Sequence, residues 1–177
     1  MNESQKKFLK NEFFMLSWGA AVQHNGVWNK NTTDEEKGNF RIEIKKFLED
    51  KLSEVYSKRK VTEDQHIENI VELQKKSIEL GNRLNFGTCQ KLLNMMCKYY
   101  WCVGFIEEPP HLPIDRINLQ NARFKDKDMV NWTEIEEPDV YIKLINDIKE
   151  KTSGQSLAQW EVDNWERRSY KSELCEK

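Results

Sequence analysis

Apolar residues recur at intervals of three and four along most of the chain, which is the period of an α-helix and not of a β-strand. Seven glycines and four prolines interrupt this pattern only lightly. We therefore predict an all-α protein, a single-domain bundle of about six or seven helices that spans residues 1–177. We expect residues 169–177 to form a frayed tail.

Local signals place the ends of these helices. The first helix should run from Ser4 to about Val22 and end at the turn Asn25-Gly26. Three capping boxes, in which a serine or threonine precedes a glutamate or glutamine by three positions, begin at Thr33, Thr62 and Ser156. Pro138 suits the first turn of another helix, and Gly81 and Gly154 suit helix ends.

Each helix should turn its apolar stripe to the core. The predicted core positions are Phe8, Phe13 or Phe14, Leu16 and Ala20 on the first helix; Phe40, Ile44, Phe47, Leu48, Leu52, Val55 and Tyr56 on the second; Ile67, Ile70, Val71 and Ile78 on the third; and Tyr141, Leu144, Ile145 and Ile148 near the end. Trp160 and Trp165 lie on the last helix, where they either anchor a partner or close the core. Residues 123–137 lack a clear period and are predicted to form a loop. His24 and His66 fall among polar residues and are predicted to lie on the surface.

The helix predicted over residues 86–103 is the least polar part of the chain, so we place it at the centre of the bundle. At 100° per residue, five of its side chains fall within an arc of about 100°. They are Gln90, Lys91, Asn94, Lys98 and Trp101. Buried lysines need acids, water or a ligand, so this polar stripe either faces a cleft or is a solvated strip of an ordinary helix.

The proline-rich segment that follows should hold its side chains rigidly. Pro109, Pro110 and Pro113 fix their own φ angles and restrict the residues before them. His111 and Asp115 are candidates for proton transfer, but a lone histidine is more often packed in a core, and Asp115 suits the N-cap of a following helix.

Composition narrows the functional classes. The chain has 30 acidic and 28 basic side chains and a net charge of −2, which argues against strong binding of duplex DNA. No apolar stretch approaches the roughly 20 residues that cross a bilayer, and the N-terminus does not look like a signal peptide, so we expect a cytoplasmic protein without a membrane partner. The four cysteines form no zinc or redox motif, and we expect reduced thiols that lie mostly in the core. We also predict no metal and no cofactor, because no phosphate loop, dinucleotide-binding, zinc-protease or esterase motif is present.

Residues 84–91, followed by Leu112-Pro113-Ile114-Asp115, resemble the hairpin and aspartate of helix-hairpin-helix DNA glycosylases. The resemblance implies a helix-hairpin-helix-like fold and DNA or a nucleotide as partner. It also implies that Lys91 attacks C1′ of a damaged nucleotide while Asp115 activates the lysine or stabilises the sugar cation. Lys98 lies closer to Asp115 in sequence than Lys91 does, and it is the alternative nucleophile.

The same stretch resembles, over more positions, a group of uncharacterised bacterial proteins with a Gly-x-x-Gln-Lys-x-x-Asn-x-x-x-Lys-Tyr helix and a Pro-Ile-Asp turn. The matching residues are Gly87, Gln90, Lys91, Asn94, Lys98, Tyr99, Pro113, Ile114 and Asp115. This group implies no activity, but it indicates that the polar stripe and the turn belong together.

Two functional hypotheses follow from these patterns. In the first, Lys91, Lys98 and Asp115 are catalytic residues of a glycosylase or lyase. Gln90, Asn94, Trp101, His111 and Arg116 then bind the substrate, because amide, aromatic and basic groups suit a flipped nucleotide. In the second, the protein is a non-catalytic helical module that binds a protein or small ligand, and the polar stripe is a closed hydrogen-bond network. An enzyme should show a lysine near Asp115 in an open cleft, whereas the module should show these groups satisfied and enclosed.

Overall fold

The computed structural model describes residues 1–22 and 26–165, and these residues form helices and turns without a β-strand. The prediction of an all-α bundle is therefore confirmed. The described residues form seven α-helices: α1 (Glu3–Val22), α2 (Asp34–Lys51), α3 (Glu63–Glu79), α4 (Phe86–Cys102), α5 (Arg116–Asn121), α6 (Pro138–Lys151) and α7 (Leu157–Asn164). A π-helical turn (Leu52–Tyr56) continues α2, and the predicted loop before α6 contains two 3₁₀ turns, Asp126–Asp128 and Trp132–Glu134.

Side-chain caps fix the helix starts as the sequence predicts. Thr33 and Glu36 form a complete capping box at α2. The side chains of Thr62 and Ser156 each accept a hydrogen bond from the third backbone amide of α3 and α7. The side chain of Asn85 caps α4 in the same way. Each cap satisfies an N–H group that the helix itself cannot pair.

The central position of α4 is confirmed, because 14 of its 17 residues are buried. Helices α1 and α3 and the turn Trp132–Glu134 pack around it. A single cluster of buried apolar side chains joins α4 to the other long helices. The surroundings of α4 therefore decide which of its polar side chains reach solvent.

Gly87 allows the segment before α6 to pack against the first turn of α4. A Cβ atom at this position would lie 1.8 Å from the carbonyl oxygen of Trp132, and the Gly87 N–H donates to the Ile135 carbonyl at 2.8 Å. Gly87 thus allows two backbone segments to approach closely inside a helix. Gly81, between α3 and α4, has a different role, because its φ of 87° is a backbone conformation that favours glycine.

Several predicted positions are wrong. Phe8 and Leu16 are exposed (62% and 45%), because α1 packs against α4 through the side that carries Phe14, Trp18 and Ala21. Ile78 is also exposed, at the end of α3.

His66, which we predicted on the surface, is fully buried, because it lies one helical turn before Ile70 on the inner face of α3. Trp165 lies just after the last residue of α7 and is 44% exposed. The predictions for His24, Asn25, Cys175 and the tail 169–177 fall outside the described residues.

Two of the three cysteines in the part of the chain that the structure describes are core thiols. Cys89 and Cys97 are buried and free, and Cys102 is free and exposed. Burial raises the pKa of the Cys89 and Cys97 thiols, which makes them poor nucleophiles. None of the helices described here combines the length and apolarity that crossing a lipid bilayer requires.

Candidate functional site

The polar stripe of α4 divides into two parts. On a helical wheel Gln90, Trp101 and Asn94 occupy about 0 to 40°, whereas Lys98 and Lys91 occupy about 80 to 100°. Gln90 and Asn94 face a closed hydrogen-bond network, which we call the inner network. The two lysines line an open cleft. Trp101 is partly exposed and lines neither region.

Gln90 anchors the proline-rich turn to α4. Its Nε2 donates to the Ile114 carbonyl at 2.9 Å, and its Oε1 accepts from the Ile114 N–H at 3.0 Å. The two bonds hold the backbone of Ile114 as a neighbouring strand would. Because Asp115 follows directly in the chain, Gln90 determines where that carboxylate lies.

Asn94 is the centre of the inner network. Its Oδ1 accepts from His66 Nε2 at 2.9 Å, and its Nδ2 donates to the Tyr141 hydroxyl at 3.0 Å and to Gln90 Oε1 at 3.3 Å. An amide that is 1% exposed thus has partners for both of its polar atoms. These contacts tie α4 to α3 and α6.

The two histidines of the network are held neutral. Burial, and after it the neighbouring His111, lower the pKa of His66 to about 3. Burial, and after it the charge of Lys149, lower the pKa of His111 to about 3. His66 Nδ1 lies 2.7 Å from the Tyr56 hydroxyl, and His111 Nδ1 lies 3.0 Å from the Tyr141 hydroxyl. The inner network is therefore an uncharged, enclosed structure.

The cleft has a volume of about 670 Å³, within the range of small-molecule sites. Residues of α1, α4, α5 and α7 and of the loop before α6 line it: Leu16, Ala20, Lys91, Met95, Lys98, Tyr99, Asp115, Arg116, Ile117, Asn118, Asn131, Trp132, Thr133, Glu161 and Trp165.

Lys91 and Asp115 form the first ion pair of the cleft. Lys91 Nζ lies 3.4 Å from Asp115 Oδ2, and the two side chains are only 10% and 16% exposed. The ammonium group also lies 4.1 Å from the ring centre of Trp132, within cation–π distance. The close approach at Gly87 brings this ring beside the lysine.

Asp115 is both the cap of a helix and the partner of Lys91. Its Oδ1 accepts from the Asn118 N–H at 3.0 Å and caps α5, while its other oxygen faces Lys91. The cap bond and the anchored Ile114 backbone leave the carboxylate little freedom to move. Asp115 is thus a preoriented acceptor beside an amine.

Lys98 pairs with a residue that the sequence analysis did not single out. Its Nζ lies 2.6 Å from Glu161 Oε1, and the Glu161 side chain is only 3% exposed. Asn118 Nδ2 contacts the same carboxylate oxygen at 3.3 Å and the Pro113 carbonyl at 2.8 Å. Burial raises the pKa of Glu161, which the nearby Lys98 partly offsets.

The structure thus separates the predicted site residues. Lys91, Lys98, Asp115 and Arg116 line the cleft, whereas Gln90, Asn94 and His111 belong to the inner network. Glu161, Asn118 and Trp132 join the cleft without having been predicted. Glu161 shares the inner face of α7 with Leu157 and Ala158, and an acid at such a position signals a buried partner.

No group of three or more histidine, cysteine, aspartate and glutamate side chains within residues 1–22 and 26–165 is arranged to hold a metal ion. Neither a protein-family model, nor a curated protein, nor a solved structure matches this chain.

Proposed function

We propose that the cleft receives a nucleotide turned out of a nucleic acid strand and that Lys91 reacts with its sugar, as in a glycosylase or lyase. The observation that carries this proposal is the contact between Lys91 Nζ and Asp115 Oδ2, 3.4 Å, at the wall of a cleft large enough for one nucleotide. An amine beside a fixed carboxylate supplies a nucleophile and a proton acceptor at one place.

The reaction uses the two groups in sequence. Lys91 loses a proton to Asp115, and its nitrogen forms a bond to C1′ of the sugar. The bond from C1′ to the base breaks at the same time, and the base leaves with the electron pair and takes up the proton from Asp115. The C1′–O4′ bond of the sugar then breaks, the nitrogen gives its proton to the ring oxygen, and an imine forms between Lys91 and C1′. At an abasic site the amine adds to the C1′ aldehyde instead, and loss of water gives an imine.

The surroundings of Lys91 favour this chemistry. The low exposure of both side chains limits competition from water, and Gln90 and Asn118 hold the turn that carries Asp115. Trp132 offers an aromatic surface for a sugar or base. Arg116, exposed at the start of α5, supplies a positive charge for a phosphate.

A second candidate function is a non-catalytic helical module. The enclosure of Gln90, Asn94 and His111 favours it, because two of the five residues of the polar stripe then serve structure and not ligand binding. In this case the two ion pairs of the cleft are further structural contacts, and no covalent chemistry takes place.

Borohydride trapping with oligonucleotides that carry an abasic site or an oxidised base distinguishes the two functions, because borohydride reduces an imine to a stable amine. We expect a covalent adduct with the wild-type protein. We expect none with Lys91→Gln. The matched control is Lys98→Gln with the abasic oligonucleotide, a change of the same kind two turns further along α4 in a second ion pair, which should retain the adduct.

Asp115→Asn tests the proton acceptor separately. Asparagine keeps the ability to cap α5, so the fold should persist, while the rate of adduct formation should fall by roughly 10²- to 10⁴-fold. No adduct with either oligonucleotide, together with no binding at low salt, would overturn the proposal in favour of the helical module. An adduct lost only in Lys98→Gln would assign the nucleophile to Lys98.

A further inference from the structure

The cleft contains a second pair of charged groups that the proposed reaction does not use. Lys98 and Lys91 are seven positions apart on α4, which places them about 10 Å apart along the helix. The Lys98–Glu161 pair therefore lies too far from Lys91 to act at the same sugar carbon. It lies at the distance where the base of a nucleotide bound at Lys91 would extend.

This pair presents a hydrogen-bond donor beside an acceptor. The Lys98 ammonium can only donate, and the Glu161 carboxylate can only accept when ionised. Both contacts described for Glu161, from Lys98 and Asn118, fall on the same oxygen, Oε1. A carboxylate has about four acceptor positions on its two oxygens, so Glu161 retains capacity for a ligand.

Asn118 adds a second acceptor to the same wall of the cleft. Its Oδ1 is buried and has no hydrogen-bond partner among the described residues, although its Nδ2 is bonded to Pro113 and Glu161. A buried acceptor without a partner is unfavourable, so a ligand N–H that reaches it gains affinity. The wall thus offers one donor and two acceptors.

Aromatic rings at the cleft suit a flat ligand. The ring centre of Trp165 lies 5.7 Å from Lys98 Nζ, and Trp165 is 44% exposed. Trp132 lines the same cleft beside Lys91. Rings in these positions provide stacking surfaces for a base whose edge meets Lys98 and Glu161.

We propose that Lys98, Glu161 and Asn118 recognise the edge of a guanine-type base, on which a carbonyl oxygen stands beside two N–H groups. Lys98 donates to the carbonyl, Glu161 accepts from the ring N–H, and Asn118 accepts from the exocyclic amine. Adenine presents one amine beside a bare ring nitrogen and matches only part of this set. The inference rests on the proposed function, because it names the base of the nucleotide whose sugar reacts at Lys91.

Calorimetric titration of the intact protein with nucleoside monophosphates tests this inference without a mutation. We expect GMP to bind about 10- to 100-fold more tightly than 1-methyl-GMP, which lacks the ring N–H that meets a charged acceptor. IMP, which lacks the exocyclic amine, should bind several-fold more weakly than GMP, and AMP should bind at least 10-fold more weakly. The inference would be overturned if GMP bound no more tightly than 1-methyl-GMP or no more tightly than AMP. It would also be overturned if GMP did not bind at millimolar concentration.

Two variants of Glu161 and one control variant test whether this residue provides the selectivity. Glu161→Gln should abolish the preference for GMP over 1-methyl-GMP, whereas Glu136→Gln, which removes a carboxylate from the exposed pair with Arg83, should leave it intact. Because Glu161→Gln leaves Lys98 without its acid, the double variant Lys98→Met with Glu161→Leu provides a second, charge-balanced test. Retention of the preference in both Glu161 variants would contradict the assignment.

The trapping experiment separates failure of this inference from failure of the proposed function. An abasic site has no base, so its adduct with Lys91 depends on the sugar chemistry alone. An adduct without selectivity for GMP refutes only the base-recognition site. Selectivity for GMP without any adduct supports the site and refutes the reaction at Lys91.

Discussion

The inner network and the cleft both use side chains of α4, Gln90 and Asn94 in the first and Lys91 and Lys98 in the second, and one region is neutral where the other is charged. The inner network consists of neutral amides, phenols and imidazoles whose polar atoms are mostly matched to one another. The cleft holds two lysines and two carboxylates around open volume. Both regions provide partners for the polar side chains of α4, but of the two only the cleft leaves room for another molecule.

This difference explains how a buried helix can carry so many polar residues. A neutral amide can be buried at little net cost when each of its hydrogen bonds is satisfied, whereas a lysine requires an acid or water as well. On one side of α4, helices α3 and α6 supply the neutral partners His66 and Tyr141. On the other side of α4, the turn before α5 supplies Asp115, α7 supplies Glu161, and the cleft gives access to solvent.

The largest effect should come from breaking the inner network at Asn94. Asn94→Leu leaves His66, Tyr141 and Gln90 each without one buried hydrogen bond, so we expect a loss of about 3 to 5 kcal/mol in the free energy of unfolding, measured with urea. Trapping at Lys91 should persist at temperatures where the variant is folded. A loss below about 1 kcal/mol would show that the network is not a stabilising unit.

Lowering the pH should reduce the free energy of unfolding by a similar amount, through protonation of the two histidines of the inner network. The pKa values of His66 and His111 are about 3 in the folded protein and ordinarily 6.5, so between these values the unfolded chain binds more protons. Stability is therefore full above pH 6.5 and falls as the pH falls towards 3. From pH 7.5 to pH 5 we expect a loss of about 2 kcal/mol for each histidine.

His66→Gln isolates one of these two contributions. The raised pKa of Glu161 acts in the opposite direction, because that group binds its proton more readily in the folded protein, so the informative quantity is the difference in slope between variant and wild type. Between pH 7.5 and pH 5, histidine protonation should cost the variant about half as much stability as it costs the wild-type protein. Identical slopes for the two proteins would mean that His66 takes up a proton in the folded state.

A smaller effect should follow from Gly87→Ala, which acts where the segment that carries Trp132 packs against α4. The new methyl group overlaps the Trp132 carbonyl and must push the segment before α6 outwards, at an expected cost of about 1 to 3 kcal/mol. Because Trp132 then moves away from Lys91, trapping should slow as well. An unchanged unfolding midpoint and an unchanged trapping rate would show that the close approach at Gly87 is unimportant.

The helices were predictable because their signals are local. Thr33, Thr62 and Ser156 cap the helices at which they were predicted, and Pro138 begins α6 as expected. A cap or a helix-breaking residue acts within one turn of the chain, so the sequence alone contains it. The central position of α4 was also predictable, because its composition leaves only a narrow polar arc.

The partners of the polar stripe were not predictable in the same way. Which lysine meets Asp115 depends on how α5 and α7 dock against α4, and Glu161 is 63 positions from Lys98 in the chain. Two errors were avoidable: His66 shares a face with Ile70 and Leu73, and Glu161 shares one with Leu157. Polar residues on an apolar face indicate buried pairs even where their partners are unknown.

Peptide mass spectrometry of the borohydride-trapped adduct, formed by the wild-type protein with an abasic oligonucleotide, tests most directly whether Lys91 is the nucleophile. We predict that the modified residue is Lys91, although most other lysines within residues 1–22 and 26–165 are more exposed. An adduct on Lys98, or a modification spread over exposed lysines, would contradict the claim that the Lys91–Asp115 pair is the reactive part of the cleft.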